Sequence, residues 1–367
     1  MPEQRNTTEL LIIGTGVIAM SIAYHCAEAG IDVVLLEPAE PESTATQTAG
    51  AFRTYFPGRV HDSELVARSL DDFRSFDATM GADLGVTKTG MLVVADTPEQ
   101  AAALEAELPA QREAGVQLEL LTTAVAIGRN PWLDPADVEA AVWCPQMIHL
   151  RADEVLRAYS EGAREHGAHV LSNTIATELD ASTGHVGTTR ADFTAEAIVI
   201  AAGQRTSDIA DMAGLKLPLW GQYAELFRTA PVGEADVNAP FTFHPDAGLK
   251  TMGIGPSFLV GLERFSTKQG MRDIWYKAAR QEVAQRYPRL RDVELHSAWT
   301  GTLDVTPSRT ALIGKAGGRH ERILFAAGFT GHELGQAPAT GKIIRDLHLG
   351  RRPEVDITPF SLARNGA

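Results

Sequence analysis

One stretch constrains this chain more than any other: Leu10 to Glu37, reading LLIIGTGVIAMSIAYHCAEAGIDVVLLE. Leu10–Ile13 is an apolar run with the length of a buried parallel strand, and Gly14-Thr15-Gly16-Val17-Ile18-Ala19 follows it directly. A helical stretch runs to Ala29, Gly30 stops it, and a second apolar run, Val33–Leu36, ends in Glu37. This is the pattern of a βαβ unit with a dinucleotide fingerprint in its first turn, Ala19 standing at the third glycine position. Gly14 permits a tight strand-to-helix turn, and Gly16 leaves the helix N-terminus open to a pyrophosphate. Ala19 is small enough for close helix–strand packing. Glu37, at the end of the second strand, can accept both ribose hydroxyls and repels a 2′-phosphate. The stretch predicts a bound adenine dinucleotide, held around Gly14, Gly16, Val17, Ile18, Ala19 and Glu37.

At 367 residues the chain is long for a single core, so two domains are expected. A net charge of −14 argues against nucleic acid or an anionic membrane surface as partner. Two cysteines, Cys26 and Cys144, make no disulfide framework, and the 11 histidines are scattered without metal-ligand spacing. The opening MPEQRNTTE lacks the basic region and cleavage site of a signal peptide. The apolar stretch from Leu10 is interrupted by Gly14, Gly16, Tyr24, His25 and Glu28 and does not read as a membrane span. A cytoplasmic location is the expectation.

Along the chain, Glu64–Met80 reads as a helix with Leu65, Leu70, Phe73 and Phe76 at helical spacing, and Thr89–Ala95 as a strand. Pro98–Ala114 reads as an exposed helix, Asp153–Glu165 as an amphipathic one, and Met271–Tyr287 as a third. Val170-Leu171 with Ile175 gives a strand, Phe193–Ile200 another ending at Ala201-Ala202-Gly203. Leu226-Phe227, Phe241–His244 and Phe258–Gly261 look like antiparallel strands. Arg322–Ala327 is a strand running into Gly328-Phe329-Thr330-Gly331-His332-Glu333 and a helix to about Leu349. Nucleotide-type segments thus stand at the start, middle and end of the chain. The expected fold is mixed α/β and α+β: a Rossmann-like parallel-sheet domain (1–88, 150–215, 296–367) interlaced with an antiparallel-sheet substrate domain (89–149, 216–295).

The order of four segments carries a family resemblance: LLIIGTGVIAMSIAYHCAEAGIDVVLLE, EHGAHVLSNTIATEL, AEAIVIAAG and ILFAAGFTGHELGQAPATGKIIRDL. The chain resembles the D-amino-acid oxidase, glycine oxidase and sarcosine oxidase superfamily of FAD-dependent amine oxidoreductases over nearly its full length. The GFTGH…APATG element separates FAD from NAD, because it returns a glycine-rich helix start to the cofactor. The resemblance implies that Ile175-Ala176 contacts adenine and that Ala202-Gly203 passes the nucleotide. It places the loop with Thr44, Thr48, Ala49 and Gly50 along the ribityl and pyrophosphate. It also places Gly301 on a strand near the flavin, and Gly328, Thr330, Gly331, His332 and Glu333 at the flavin C2 carbonyl region. There a helix N-terminus stabilises the charge of the reduced ring.

The departures from the family pattern are specific. Glu333 stands where the family commonly has glycine, and either caps the helix, points at the flavin or substrate, or is solvated. Trp299–Leu303 has no cysteine, and the Thr44–Arg53 loop no histidine, to attach flavin covalently, so non-covalent FAD is expected. Phe258–Arg264 lacks the oxygen-assisting lysine of the sarcosine oxidases, and Gly335 stands where their carboxylate-binding lysine would be.

The cofactor does the hard chemistry in such enzymes, and the chain must orient the amine. An amino-acid substrate needs an arginine for its carboxylate. Arg53 is the leading candidate, ahead of Arg264 and Arg309, with Tyr55, Tyr223 and His332 as possible pocket residues. The expected activity is oxidation of the C–N bond of an amino acid or related amine to an imine, with oxygen as acceptor and peroxide as product. The alternatives are a dehydrogenase using a quinone or carrier, or a flavin-binding subunit of a larger complex.

Overall fold

The computed structural model describes residues 6–38, 50–233 and 237–366. The apolar runs of the opening unit form what their pattern dictates. Thr7–Ile13 is a buried strand, Val17–Glu28 a helix, and Val33–Glu37 a second strand parallel to the first. Around them an eight-stranded sheet assembles from three distant parts of the sequence. Phe193–Ile200 lies parallel to Thr7–Ile13 on one side, and His169–Ser172 lies parallel to Val33–Glu37 on the other. The C-terminal half of Phe193–Ile200 pairs in turn with Ile323–Ala327, also in parallel. Continuous apolar strands of this kind need cover on both faces. One face is covered by Val17–Glu28, Val60–Met80, Ala152–Glu165 and the long closing helix Glu333–His348; the other packs Ile209, Leu215 and Leu217.

The first and closing helices approach very closely. Ser21 Oγ donates to the Ala337 carbonyl at 2.8 Å, and a Cβ added at Gly341 would lie 2.5 Å from Ser21 Oγ. Glycine at 341 is therefore a packing requirement.

The second sheet also has eight strands. Its order is Leu295–Val305, Trp220–Thr229, Ser257–Leu262, Leu249–Ile254, Phe241–His244, Met91–Ala95, Ala140–Cys144 and Glu119–Thr122. All neighbours are antiparallel except Phe241–His244 against Met91–Ala95. Arg272–Arg286 covers one face through Trp275, Ala279 and Val283. Pro98–Glu113 covers the other through Leu104 and Leu108, its remaining surface largely exposed.

Three sequence readings shift. Ile175 leaves the strand it was joined to: that strand stops at Ser172, Asn173 turns the chain at φ 55°, and a new strand starts at Ala176. Leu226-Phe227 is only the middle of a ten-residue strand, Trp220–Thr229. Leu295–Val305, most of it grouped with the nucleotide segments from sequence, is the outer strand of the second sheet, and only its far end reaches the first. Among the described residues no helix is long and apolar enough to cross a membrane, and no group of His, Cys, Asp or Glu could hold a metal ion.

Candidate active site

A crevice opens at the carboxyl ends of the parallel strands, where open α/β sheets place ligands. It is lined by Ile13–Ile18, by Leu36 and Pro38, by Thr174–Ala176 and by Ala201–Arg205. Thr302–Asp304 close one side, and Phe329 with Gly331–Leu334 close the end. Gln204 Nε2 donates to the Thr302 carbonyl at 3.0 Å, so the outer strand of the second sheet is tied to the crevice wall.

The glycines of the first turn have different work. Gly14 sits at φ 140°, and an added Cβ would lie 2.1 Å from the Ala201 carbonyl oxygen, so strand spacing alone demands glycine. Gly16 has an ordinary φ of −69° and nothing within 4 Å of an added Cβ. Neither conformation nor packing asks for glycine there; the free space belongs to the crevice. The helix it caps has no side-chain cap and no acid in its first turn. Its leading N–H groups are available to an anion.

At the other end of the crevice the closing helix starts at Glu333, also without a side-chain cap at His332. Two acids meet here. Asp304 Oδ2 accepts the Gly328 N–H at 2.6 Å, and the Asp304 carbonyl accepts the Thr330 N–H at 3.1 Å. The Glu333 carboxyl lies within hydrogen-bond reach of the Asp304 carboxyl. Burial, then the neighbouring Asp304 charge, pushes Glu333 up to about 8, and burial raises Asp304 as well. Burial and mutual repulsion thus both favour proton uptake by this pair.

Beyond His332 lies a cationic cluster. Arg53 is 4% exposed, with Nη2 donating to Glu263 Oε1 at 3.0 Å, while Lys250 Nζ reaches the same oxygen at 2.7 Å. Arg53 lies over the Phe56 ring at 4.6 Å and near Phe243 at 5.1 Å, and Phe56 packs edge-on against His332. Arg53 Nε and Nη1 are buried and have no hydrogen-bond partner among the described residues. Burial, aided by Arg53, Arg59 and Lys250, keeps His332 well below its ordinary value, so its ring is neutral. Burial brings Lys250 down to about 8, opposed by Glu263.

Comparison with known proteins decides what this arrangement is. The family model described as DAO, FAD dependent oxidoreductase, matches residues 9–347. The chain belongs to this family. It is an FAD-dependent oxidoreductase of the amine and amino-acid oxidising kind. It is 25% identical to a glycine oxidase of Geobacillus kaustophilus over 372 residues, covering 97% of each chain. It is 24% identical over 395 residues to human mitochondrial dimethylglycine dehydrogenase, covering 99% of this chain but only 45% of that relative. The L-proline dehydrogenase of P. horikoshii superposes with a TM-score of 0.86 over 98% of both chains at 20% identity, a likeness of fold.

The crevice suits the FAD of the DAO family: the space at Gly16 and the uncapped first helix fit a pyrophosphate. Gly14, Gly16, Val17, Ile18, Ile175, Ala176, Ala202, Gly203, Gly331, His332 and Glu333 all line it. Ala19 is fully buried beneath it as a packing residue. Glu37 stands at the rim, its carboxylate accepting from Ser172 Oγ and its carbonyl from the Thr174 N–H. Gly50 turns the chain at φ 64° against Leu150. Thr44, Thr48 and Ala49 fall outside the described residues.

Gly301 does not line the crevice. An added Cβ there would lie 1.9 Å from the Trp299 indole, so this glycine makes room for a neighbour on its own strand. Gly328 and Thr330, at φ 74° and 56°, shape the loop whose N–H groups hold Asp304. Of the arginines, Arg53 joins the cluster beside His332, and Arg309 reaches Glu263 at 3.8 Å from its rim. Arg264 turns instead to Glu282 on the covering helix Arg272–Arg286, at 3.7 Å. Tyr223 packs into the apolar layer beneath that helix, and Tyr55 is fully buried with its hydroxyl on Glu107. Neither tyrosine reaches the crevice.

Sequence reasoning missed Lys250, Glu263 and Asp304. Phe258–Arg264 holds no lysine, yet Lys250 lies opposite Gly261 on the adjacent strand. Asp304 directly follows the Trp299–Leu303 stretch and had a readable signal: an acid at the apolar end of a polar strand. Gly335 is explained by Phe52, whose ring would lie 2.8 Å from an added Cβ and leaves no room for a lysine.

Proposed function

We propose that this enzyme oxidises the C–N bond of a small amine bearing a carboxylate, that Arg53 holds that carboxylate, and that molecular oxygen is the acceptor. The observation that carries the reading is the pair of unpartnered donors on buried Arg53. A desolvated guanidinium with idle N–H groups is unfavourable unless a ligand supplies acceptors, and a carboxylate matches its fork. Glu263 and Lys250 fix the third nitrogen's side of the guanidinium, so the free edge is presented in one orientation.

In this reading Ile175-Ala176 would hold adenine, Gly16 the pyrophosphate, and His332–Leu334 the isoalloxazine ring. Bound FAD would supply a two-electron acceptor for the α-C–H of the amine. Arg53 and Phe52 would orient the substrate over the ring, and neutral His332 could accept or donate a hydrogen bond without competing for the carboxylate. FAD is held without a covalent bond: Cys26 and Cys144 are both buried away from the crevice, in the first helix and in the strand Ala140–Cys144. The second sheet serves as the substrate domain.

Lys250, a half-buried cation beside Arg53, favours oxygen as acceptor, since it stabilises negative charge developing on reduced oxygen. A dehydrogenase is the second reading, favoured by the names of two of the relatives. The test is anaerobic titration of the holoenzyme with D- and L-amino acids, N-methyl amino acids and cyclic imino acids, following flavin bleaching, and then admission of air. Bleaching by a carboxylate-bearing amine, with rapid return of colour in air, is expected. Bleaching only by amines without an acid group would overturn the role of Arg53.

A further inference from the structure

Two acids facing each other at the end of a cofactor crevice, one buried and one half-buried, call for a reason. Asp304 is 5% exposed, and Glu333 lines the crevice as the first residue of the closing helix. Gly328 and Thr330 hold Asp304 by their N–H groups, and the Gly331 N–H faces Glu333. Among the described residues neither acid makes an ion pair with Lys, Arg or His. The other titratable residues lining this crevice are Arg205 and the neutral His332. Structure alone gives no use for this pair: a helix N-terminus needs one acid at most, and a glycine would do.

The redox chemistry does give a use. Oxidation of a neutral amine to an imine releases two electrons and two protons. Both electrons leave with one proton as hydride from the α-carbon to flavin N5, and the second proton comes off nitrogen. Bound FAD, once reduced, would carry negative charge along its N1–C2=O edge. A carboxyl pair holding one negative charge beside that edge would be repelled by it, unless the pair took up a proton.

We propose that Asp304 and Glu333 are the proton store of the redox cycle, sharing one proton while the flavin is oxidised and holding two while it is reduced. An O–H bond forms on the pair as the proton released at nitrogen, or its equivalent from water, is taken up. On reoxidation by oxygen, N5–H and the stored O–H both break, two electrons pass to oxygen, hydrogen peroxide forms, and the pair returns to one proton. This rests on the placement of the isoalloxazine ring proposed above.

The test is the flavin midpoint potential of the holoenzyme, titrated with mediator dyes between about pH 6 and about pH 9, with the reduced spectrum recorded at each pH. Two protons per two electrons change the equilibrium 100-fold per pH unit, or ~59 mV, and one proton 10-fold, or ~30 mV. The wild type is expected to follow the two-proton slope near neutrality while its reduced flavin has the absorbance of the N1-deprotonated ring. Asp304→Asn/Glu333→Gln, with FAD bound, is expected to follow the one-proton slope with the same absorbance. The proposal is overturned by a one-proton slope in the wild type, by an N1-protonated absorbance there, or by a double variant that keeps the two-proton slope. Should the double variant not hold FAD, Glu333→Gln alone is expected to move the break between slopes by at least about one pH unit; an unmoved break also overturns it. Substrate bleaching is not used in these titrations, so their failure leaves the amine-oxidase reading standing.

Discussion

At the scale of single residues, Arg53 carries the sharpest consequence. Removing one partner of a desolvated arginine–carboxylate pair typically costs about 2–5 kcal/mol. Arg53→Met is therefore expected to weaken a carboxylate substrate by about 30-fold or more while a neutral amide analogue changes little. FAD content should not fall, because the side chain lies on Glu263 and Phe56, away from Gly16. Substrate affinities read from flavin bleaching check both arms. Glu333 has a consequence for stability. Its value in the folded chain is raised from 4.5 to about 8, so between these limits the native state binds more protons than the unfolded one. Stability from this group is complete below the lower value and drains away as pH rises through the upper. The melting temperature of the wild type should fall relative to Glu333→Gln between about pH 5 and about pH 8. Parallel melting curves across that range would show that the carboxyl is not proton-bearing.

At the scale of elements, two glycines of one turn should fail in different ways. Gly14→Ala forces a Cβ into the Ala201 carbonyl at an unfavourable φ and should destabilise the fold by more than about 1 kcal/mol. A Cβ added at Gly16 meets nothing within 4 Å, so Gly16→Ala should leave the melting transition of the apoprotein unchanged while FAD binding weakens. Denaturation of the apoprotein and FAD titration separate the two outcomes. The same contrast explains what was readable in the sequence. Phe193–Ile200 and Phe241–His244 are found with correct ends because burial selects their residues and neighbouring turns cut them off. Trp220–Thr229 and Leu295–Val305 are long and share ten paired positions, and the first also pairs with Ser257–Leu262, so what makes them strands is their neighbours. Pairing of that sort leaves no apolar signature. Arg53, Lys250 and Glu263 likewise come from separate strands and loops, and the salt bridges that join them exist only once the second sheet has formed.

At the scale of the whole molecule, the oxygen reading makes a global claim: reduced enzyme mixed with air should regain its flavin colour rapidly and release peroxide. Slow recovery in air, with fast turnover only on adding an artificial acceptor, would favour the dehydrogenase. The architecture carries one more consequence, for the order of events during synthesis. The strand at the centre of the first sheet, Thr7–Ile13, is made well before its neighbour Phe193–Ile200, and Ile323–Ala327, which pairs with that neighbour, is made later again. The helix that packs against Ser21 comes later still. A nascent chain therefore holds this fingerprint unfinished until residues 323–348 have been made. Ribosome-bound chains stopped before residue 323 should fail to retain FAD, and chains released after residue 348 should bind it. Cofactor loading in this enzyme is in effect a check that the strand and helix of residues 323–348 have been made.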